Sequence, residues 1–142
     1  MIFDSKISLK QKIRILEGNI NPVLTYGAQT WALTRTQILR LKRTHLAMVR
    51  KIMGIRLADK VRTKEIKEIS RVKVIGYISE KLKMKYAGHL ARIEEPPSRW
   101  NYLATVWIPL DHKRNRGRPP IRWVDEIIAT VGPQWQSVAQ NR

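Results

Sequence analysis

The fold class turns on Thr34-Arg35-Thr36-Gln37-Ile38-Leu39-Arg40-Leu41-Lys42-Arg43-Thr44-His45-Leu46-Ala47-Met48-Val49-Arg50-Lys51-Ile52-Met53-Gly54. Thr34 and Gln37 have the S/T-x-x-E/Q spacing of a capping box, which predicts a helix start. At about 100° per residue, Ile38, Leu41, His45, Met48 and Ile52 fall within about 80° of one another. Arg40, Arg43, Arg50 and Lys51 fall on the opposite side. Gly54 can end the helix, because glycine adopts the left-handed conformation without steric cost. The stretch therefore predicts an amphipathic helix with an apolar front and a cationic back.

The neighbouring segments read the same way. Leu9, Ile13, Leu16 and Ile20 recur at helical spacing and predict a helix near 6–20, with Asn21-Pro22 as a break. Downstream, Thr63 is placed to cap a short helix carrying Ile66 and Ile69. Ile75, Ile78, Leu82, Tyr86, His89 and Ile93 mark a longer stripe, with Lys81, Lys83, Lys85 and Arg92 mostly off it. Period-two alternation is limited to a weak piece near Tyr102–Ile108. Residues 94–120 change character: Glu94-Glu95-Pro96-Pro97-Ser98 reads as a loop, and His112 to Pro120 is basic and Pro-terminated. Beyond them, Pro119 and Pro120 suit a helix start, with Ile121, Val124, Ile127, Ile128 and Val131 inside and Gly132-Pro133 as a stop. A last short helix holds Trp135, Val138 and Ala139. Trp123 and Trp135 have helical apolar neighbours and are expected in the core.

Length and charge narrow the function. One hundred and forty-two residues are one domain's worth of chain and exclude a multidomain enzyme. The net charge is +17 while 43% of residues are hydrophobic, the composition of a folded basic chain and not of a disordered basic tail. The excess is concentrated: residues 35–92 hold 17 basic and 4 acidic groups. A polyanion relieves such self-repulsion, so nucleic acid is the leading partner, ahead of an anionic membrane surface or an acidic protein. The absence of cysteine excludes disulfides, thiolate nucleophiles and Cys-ligated zinc, and implies an intracellular compartment. No run of 18 apolar residues and no signal-peptide start are present.

Catalytic constellations are sparse. Asp59 with Glu65-x-Lys67 loosely resembles the acid and E-x-K part of restriction-type nucleases. Residues i and i+2 of a helix do not face each other, however, and a solvated helix face explains Glu65 and Lys67 better. His45 and His89 lie on apolar stripes and read as satisfied core or interface histidines; His112 reads as a bystander in a basic loop. Neither a serine nucleophile elbow nor a Gly-rich phosphate loop is present. The strongest local signal is Lys113-Arg114-Asn115-Arg116-Gly117-Arg118-Pro119-Pro120, whose R-G-R-P core is similar to the AT-hook. There glycine removes bulk at the floor of the minor groove, proline holds the chain extended, and the arginines enter a narrow groove of enhanced negative potential. A basic hinge leading into a Pro-initiated helix explains the same residues.

Three blocks carry a wider resemblance: Asn21-Pro22-Val23-Leu24-Thr25-Tyr26-Gly27-Ala28-Gln29-Thr30-Trp31, then Ala87-Gly88-His89-Leu90-Ala91-Arg92, then Arg116-Gly117-Arg118-Pro119-Pro120-Ile121-Arg122-Trp123-Val124-Asp125-Glu126-Ile127. In this order they resemble the C-terminal end of the endonuclease-reverse transcriptases of non-LTR retrotransposons, with Gln29 where the family usually has an acid. The resemblance covers nearly the whole chain. It implies a thumb-like helical region that grips the template-primer duplex, followed by a basic tail. The family's polymerase aspartates and its amino-terminal endonuclease lie upstream of the first block, so the resemblance implies the ancestor's enzyme without implying activity in this chain.

The expected fold is all-α: a thumb-like helical bundle over 1–93, a Pro/Arg-rich linker with an AT-hook-like core over 94–120, and a helical tail over 121–142. The expected function is backbone binding of DNA or RNA by a reverse-transcriptase fragment, the alternative being a basic protein-interaction or structural module derived from a retroelement. Arg40, Arg43, Arg50, Lys51, Lys113, Arg114, Arg116, Gly117 and Arg118 are the expected nucleic-acid contacts. No cofactor, metal, membrane or small-molecule substrate is expected, and the location is expected to be intracellular and nuclear.

Overall fold

The computed structural model describes residues 6–93, 99–106 and 122–141, and among them every regular element is helical. The chain is all-α, as its periodicity predicts. It divides into two compact units: Met1–Tyr26 with Arg35–Ser79, and Gly27–Thr34 with Glu80–Arg142.

The first unit begins with α1 (Leu9–Ile15), capped by Ser8. The Gln11 N–H donates to Ser8 Oγ at 3.4 Å and the Ser8 N–H donates to Gln11 Oε1 at 3.1 Å, a reciprocal capping box. Asn21-Pro22 does not break the chain as expected. A wide π turn over Leu16–Ile20 leads directly into α2 (Asn21–Leu24), with Pro22 in its first turn. The physical reason is that proline lacks an N–H and crowds the carbonyl four residues back; a local change of helical register accommodates both at a helix start.

Next comes α3 (Arg35–Met53), starting one residue after Thr34. Its buried residues are His45, Val49 and Ile52. At its end the Gly54 N–H donates to Lys51 O at 3.3 Å and the Ile55 N–H to Arg50 O at 3.0 Å, with Gly54 at φ +71°. This is a Schellman termination, the role expected of Gly54. The fourth helix, α4 (Thr63–Ser70), has Arg62 at its cap position, one residue before the expected Thr63. Ile66 is fully buried and Ile69 is 61% exposed. A helix this short meets its neighbour along a narrow line, and Ile66 occupies it. It packs on α3, as α1 does. Leu16, Val49, Ile52, Ile66 and Val72 form the core of the unit.

The fifth helix, α5 (Ile75–Ala91), gives Ile75 to Ser79 to the first unit and the remainder to the second. Its buried side chains are Ile75, Ser79, Lys83, Ala87 and Leu90; of the expected stripe, Ile75 is buried and Ile78, Leu82, Tyr86 and Ile93 are half-buried. His89 is exposed, which corrects the core alternative of its reading as a core or interface histidine. The second unit continues with α6 (Arg99–Val106), α7 (Trp123–Val131) and α8 (Trp135–Gln140). The stretch from Tyr102 that alternates weakly is thus helical through Val106, inside the expected linker. Eight residues cannot form a strand without a partner to satisfy their backbone, whereas a helix satisfies much of it internally.

Trp123, Ile127 and Trp135 pack with Ala87 and Leu90, so both tryptophans are buried as expected. Ile128 and Val131 are exposed, not inside. Tyr86 meets Trp123 edge to face, with ring centroids 6.2 Å apart. The Trp123 Nε1–H donates to Gln29 O at 2.6 Å. Arg92 donates to Ala139 O at 2.9 Å and Gln140 to Ala91 O at 3.3 Å, fastening α8 to the end of α5. The α7 start is capped by Asp125, whose carboxylate accepts the Arg122 N–H at 2.8 Å. No helix among the described residues is long and apolar enough to cross a membrane.

Candidate nucleic-acid interface

The cationic side of α3 is set by its core side. Val49 and Ile52 are anchored against Leu16 and Ile66, which fixes the rotation of the helix. At about 100° per residue, Arg40, Arg43, Arg50 and Lys51 then share the arc facing away from that core. Arg40, Arg43 and Lys51 are exposed and Arg50 is half-buried. The helix carries no acidic residue. Among the described residues, the ion pairs are Lys64 with Glu68 and Lys83 with Glu126, so Arg40, Arg43 and Arg50 have no carboxylate partner there. Along the helix the arc runs about 16 Å from Arg40 to Lys51, at 1.5 Å rise per residue.

One further cation, absent from the expected contacts, joins this surface. Arg56 lines an open recess of about 460 Å³ together with Arg50 and Lys51. The signal for it is Gly54: the Schellman turn reverses the chain, so a residue two positions later returns beside the last turn of the helix. Lys42 lies on the flank of α3, its stem crossing Gly76, where a Cβ would collide with Lys42 Cε. The expected contacts Lys113, Arg114, Arg116, Gly117 and Arg118 lie outside the described residues.

A different environment surrounds Lys83, which lies off the apolar stripe that the sequence predicts. It is 2% exposed. Its ammonium donates to Trp31 O at 3.0 Å, pairs with the Glu126 carboxylate, and lies 5.6 Å from the centroid of the Trp123 ring. This lysine is structural. Hydropathy alone sends a lysine to solvent, and its partners are remote in sequence.

Two buried residues of the first unit are incompletely satisfied: both amide atoms of Asn21 and the Nε2 of His45 lack a hydrogen-bond partner. The expectation of a satisfied core histidine therefore holds for the burial of His45 and fails for its hydrogen bonding. Burial lowers its pKa below the usual 6.5, with the charge of Glu17 opposing the shift. The imidazole is therefore neutral in the folded chain near pH 7.

The nuclease-like residues do not converge. The Asp59 carboxylate accepts the Arg56 N–H at 2.7 Å, closing a short 3₁₀ turn over Leu57–Asp59. Glu65 and Lys67 are exposed on either side of buried Ile66. Among the described residues no group of three or more His, Asp or Glu is placed to hold a metal ion.

The chain is similar to an uncharacterized transposon-derived protein of Caenorhabditis elegans, with 28% identity over 152 aligned residues covering 98% of this chain and 54% of that protein. The chain thus spans about half the length of the curated relative it matches. The similarity supports a transposon origin. No family model and no solved structure matches.

Proposed function

We propose that this chain is a nucleic-acid-gripping part of a retroelement reverse transcriptase, which holds the backbone of a template-primer duplex through the cationic arc of α3. One observation carries the reading: Arg40, Arg43 and Arg50 stand on one side of a helix whose other side is fixed in a core, and no carboxylate of the described residues neutralises them. Phosphates are the ligand that such an array fits, because they are regularly spaced, singly charged and accept from guanidinium groups in pairs. The transposon-derived relative and the three reverse-transcriptase-like sequence blocks support the same reading. Copying of the strand belongs to upstream regions of the family that the chain resembles, and the role proposed for this chain is grip.

Phosphate contacts set affinity and position, and they carry no sequence information. Binding to duplex DNA is expected to weaken steeply with salt: if about six phosphates are neutralised, log affinity against log salt has a slope of about −5. Fluorescence anisotropy over a salt series measures this. A slope near zero contradicts the proposal.

A further inference from the structure

Where the cationic arc of α3 ends, the chain reverses and presents an apolar side chain to solvent. Leu57 is 79% exposed and borders the open recess that Arg50, Lys51 and Arg56 line. Resting on the nucleic-acid reading above, we propose that Leu57 is a wedge that enters the base stack of a bound duplex where that stack is interrupted, while Arg50 and Arg56 hold adjoining phosphates.

A single exposed leucine is ordinary on a protein surface, and the setting of this one is what points to a ligand. Its position is fixed. The Asp59 carboxylate accepts the Arg56 N–H at 2.7 Å, the Asp59 N–H donates to Arg56 O at 3.2 Å, and the Lys60 N–H donates to Leu57 O at 3.2 Å. These bonds close the 3₁₀ turn over Leu57–Asp59, so the leucine is presented by an ordered turn and loses little freedom on binding. Its surroundings are cationic. Residues 50–62 hold five basic groups and one acid, and that acid, Asp59, turns its carboxylate to the backbone of its own turn. Arg56, Lys60 and Arg62 are exposed, and with Arg50 they have no carboxylate partner among the described residues. Lys60 closes the turn at φ +52°, a conformation that glycine adopts without cost and lysine does not. A positive charge thus stands beside Leu57 at a position where the backbone favours glycine.

An apolar side chain ringed by cations matches a ligand with apolar faces between anionic edges. Stacked bases flanked by phosphates have that pattern, and leucine is one of the side chains that wedge between them. An anionic membrane also attracts cations, but insertion into it needs a broad apolar face, and the turn offers Leu57 between Arg56 and Ala58. The energetic balance selects the step. Burying one leucine gains no more than unstacking two intact base pairs costs, so on a continuous duplex the two effects offset. At a one-nucleotide gap the stack is already broken, and burial of Leu57 adds to affinity. The arc grips any duplex, and the wedge favours the interrupted one.

The test measures the affinity of the full chain for a continuous DNA duplex and for the same duplex with a one-nucleotide gap, carrying a fluorescent adenine analogue beside the gap to report stacking. The gapped duplex should bind about tenfold more tightly, and the fluorescence of the analogue should rise as its base is unstacked. In Leu57→Ala the preference should fall below about threefold and the fluorescence rise should vanish. The salt slope and the melting temperature should stay near those of the parent, since the exposed leucine contributes neither a phosphate contact nor a core contact. Leu57→Met should keep the preference, because methionine also serves as a wedge. Equal affinity of the parent for both duplexes, or a preference that survives Leu57→Ala, overturns the wedge and, with the salt slope retained, leaves the grip standing. Leu57-dependent sedimentation with phosphatidylserine vesicles overturns the wedge by assigning the leucine to a lipid surface. Loss of salt-dependent duplex binding in the parent overturns both the wedge and the grip.

Discussion

Lys83 in the second unit and Arg40, Arg43 and Arg50 in the first are cations of one strongly basic chain, handled in opposite ways. Lys83 is enclosed, with a carbonyl from Trp31, a carboxylate from Glu126 and the face of Trp123 around its ammonium. The α3 arginines stand on a helix without acids and have no carboxylate partner among the described residues. The difference teaches that net charge does not identify a binding surface; the supply of internal partners does. Where the fold provides counter-groups, a cation becomes part of the core. Where it withholds them, the cation is available to an external anion.

That contrast can be broken first at Lys83. Replacing it with Met removes the hydrogen bond to Trp31 O and leaves the half-buried Glu126 carboxylate unpaired. The expected loss is about 2–4 kcal/mol, the lower part of the range for buried pairs because Glu126 retains some solvent contact. Chemical denaturation measures it, and adding Glu126→Leu should restore most of the stability. A destabilisation below about 0.5 kcal/mol would mean that Lys83 is not a core element.

The same unit offers a smaller test. Trp123→Phe keeps a ring against Tyr86 but removes the Nε1–H bond to Gln29 O, for an expected loss of about 1 kcal/mol with some added cavity cost. On the first unit, Asp59→Ala should cost about 0.5–1 kcal/mol by removing its bond to the Arg56 N–H.

A pH effect separates the buried histidine from the exposed arginines. The folded pKa of His45 lies below that of the unfolded chain, so the unfolded state binds the proton first as pH falls. Its contribution is fully present above about pH 6.5 and is lost as pH drops through 6.5 toward the lower folded value, with a slope of at most about 1.4 kcal/mol per pH unit. Denaturation midpoints from pH 7.5 to 5.5 should fall in the parent and fall less in His45→Phe. Smallest of all, Arg40→Gln, Arg43→Gln and Arg50→Gln should each change stability by no more than about 0.5 kcal/mol, since none is part of an internal ion pair.

Much of the fold is legible in the sequence and part of the site is not, for physical reasons. Local signals work where the cause is local: Gly54 terminates α3, the apolar repeat from Ile38 to Ile52 marks its buried side, and Trp123 and Trp135 are buried. Signals fail where the cause is remote. Lys83 is buried because of Trp31 and Glu126, 52 and 43 residues away, and no periodicity reports those partners. The α5 stripe departs from the expected one for the same reason, since a lysine at its centre counts against burial. Pro22 predicts a break because proline excludes an ordinary helix interior, but the π turn before it solves the problem without a loop. The unsatisfied nitrogen of His45 has no sequence signature at all.

The α3 arginines are proposed to hold phosphates. The most direct test of this is the salt dependence of duplex DNA binding by the triple variant Arg40→Gln/Arg43→Gln/Arg50→Gln, measured beside the parent chain with the melting temperature of each as control. Unchanged melting and a slope shallower by about three are expected, roughly one unit for each arginine removed from a phosphate. An unchanged slope in a folded triple variant would contradict the proposal, because the phosphates would then be held elsewhere on the molecule.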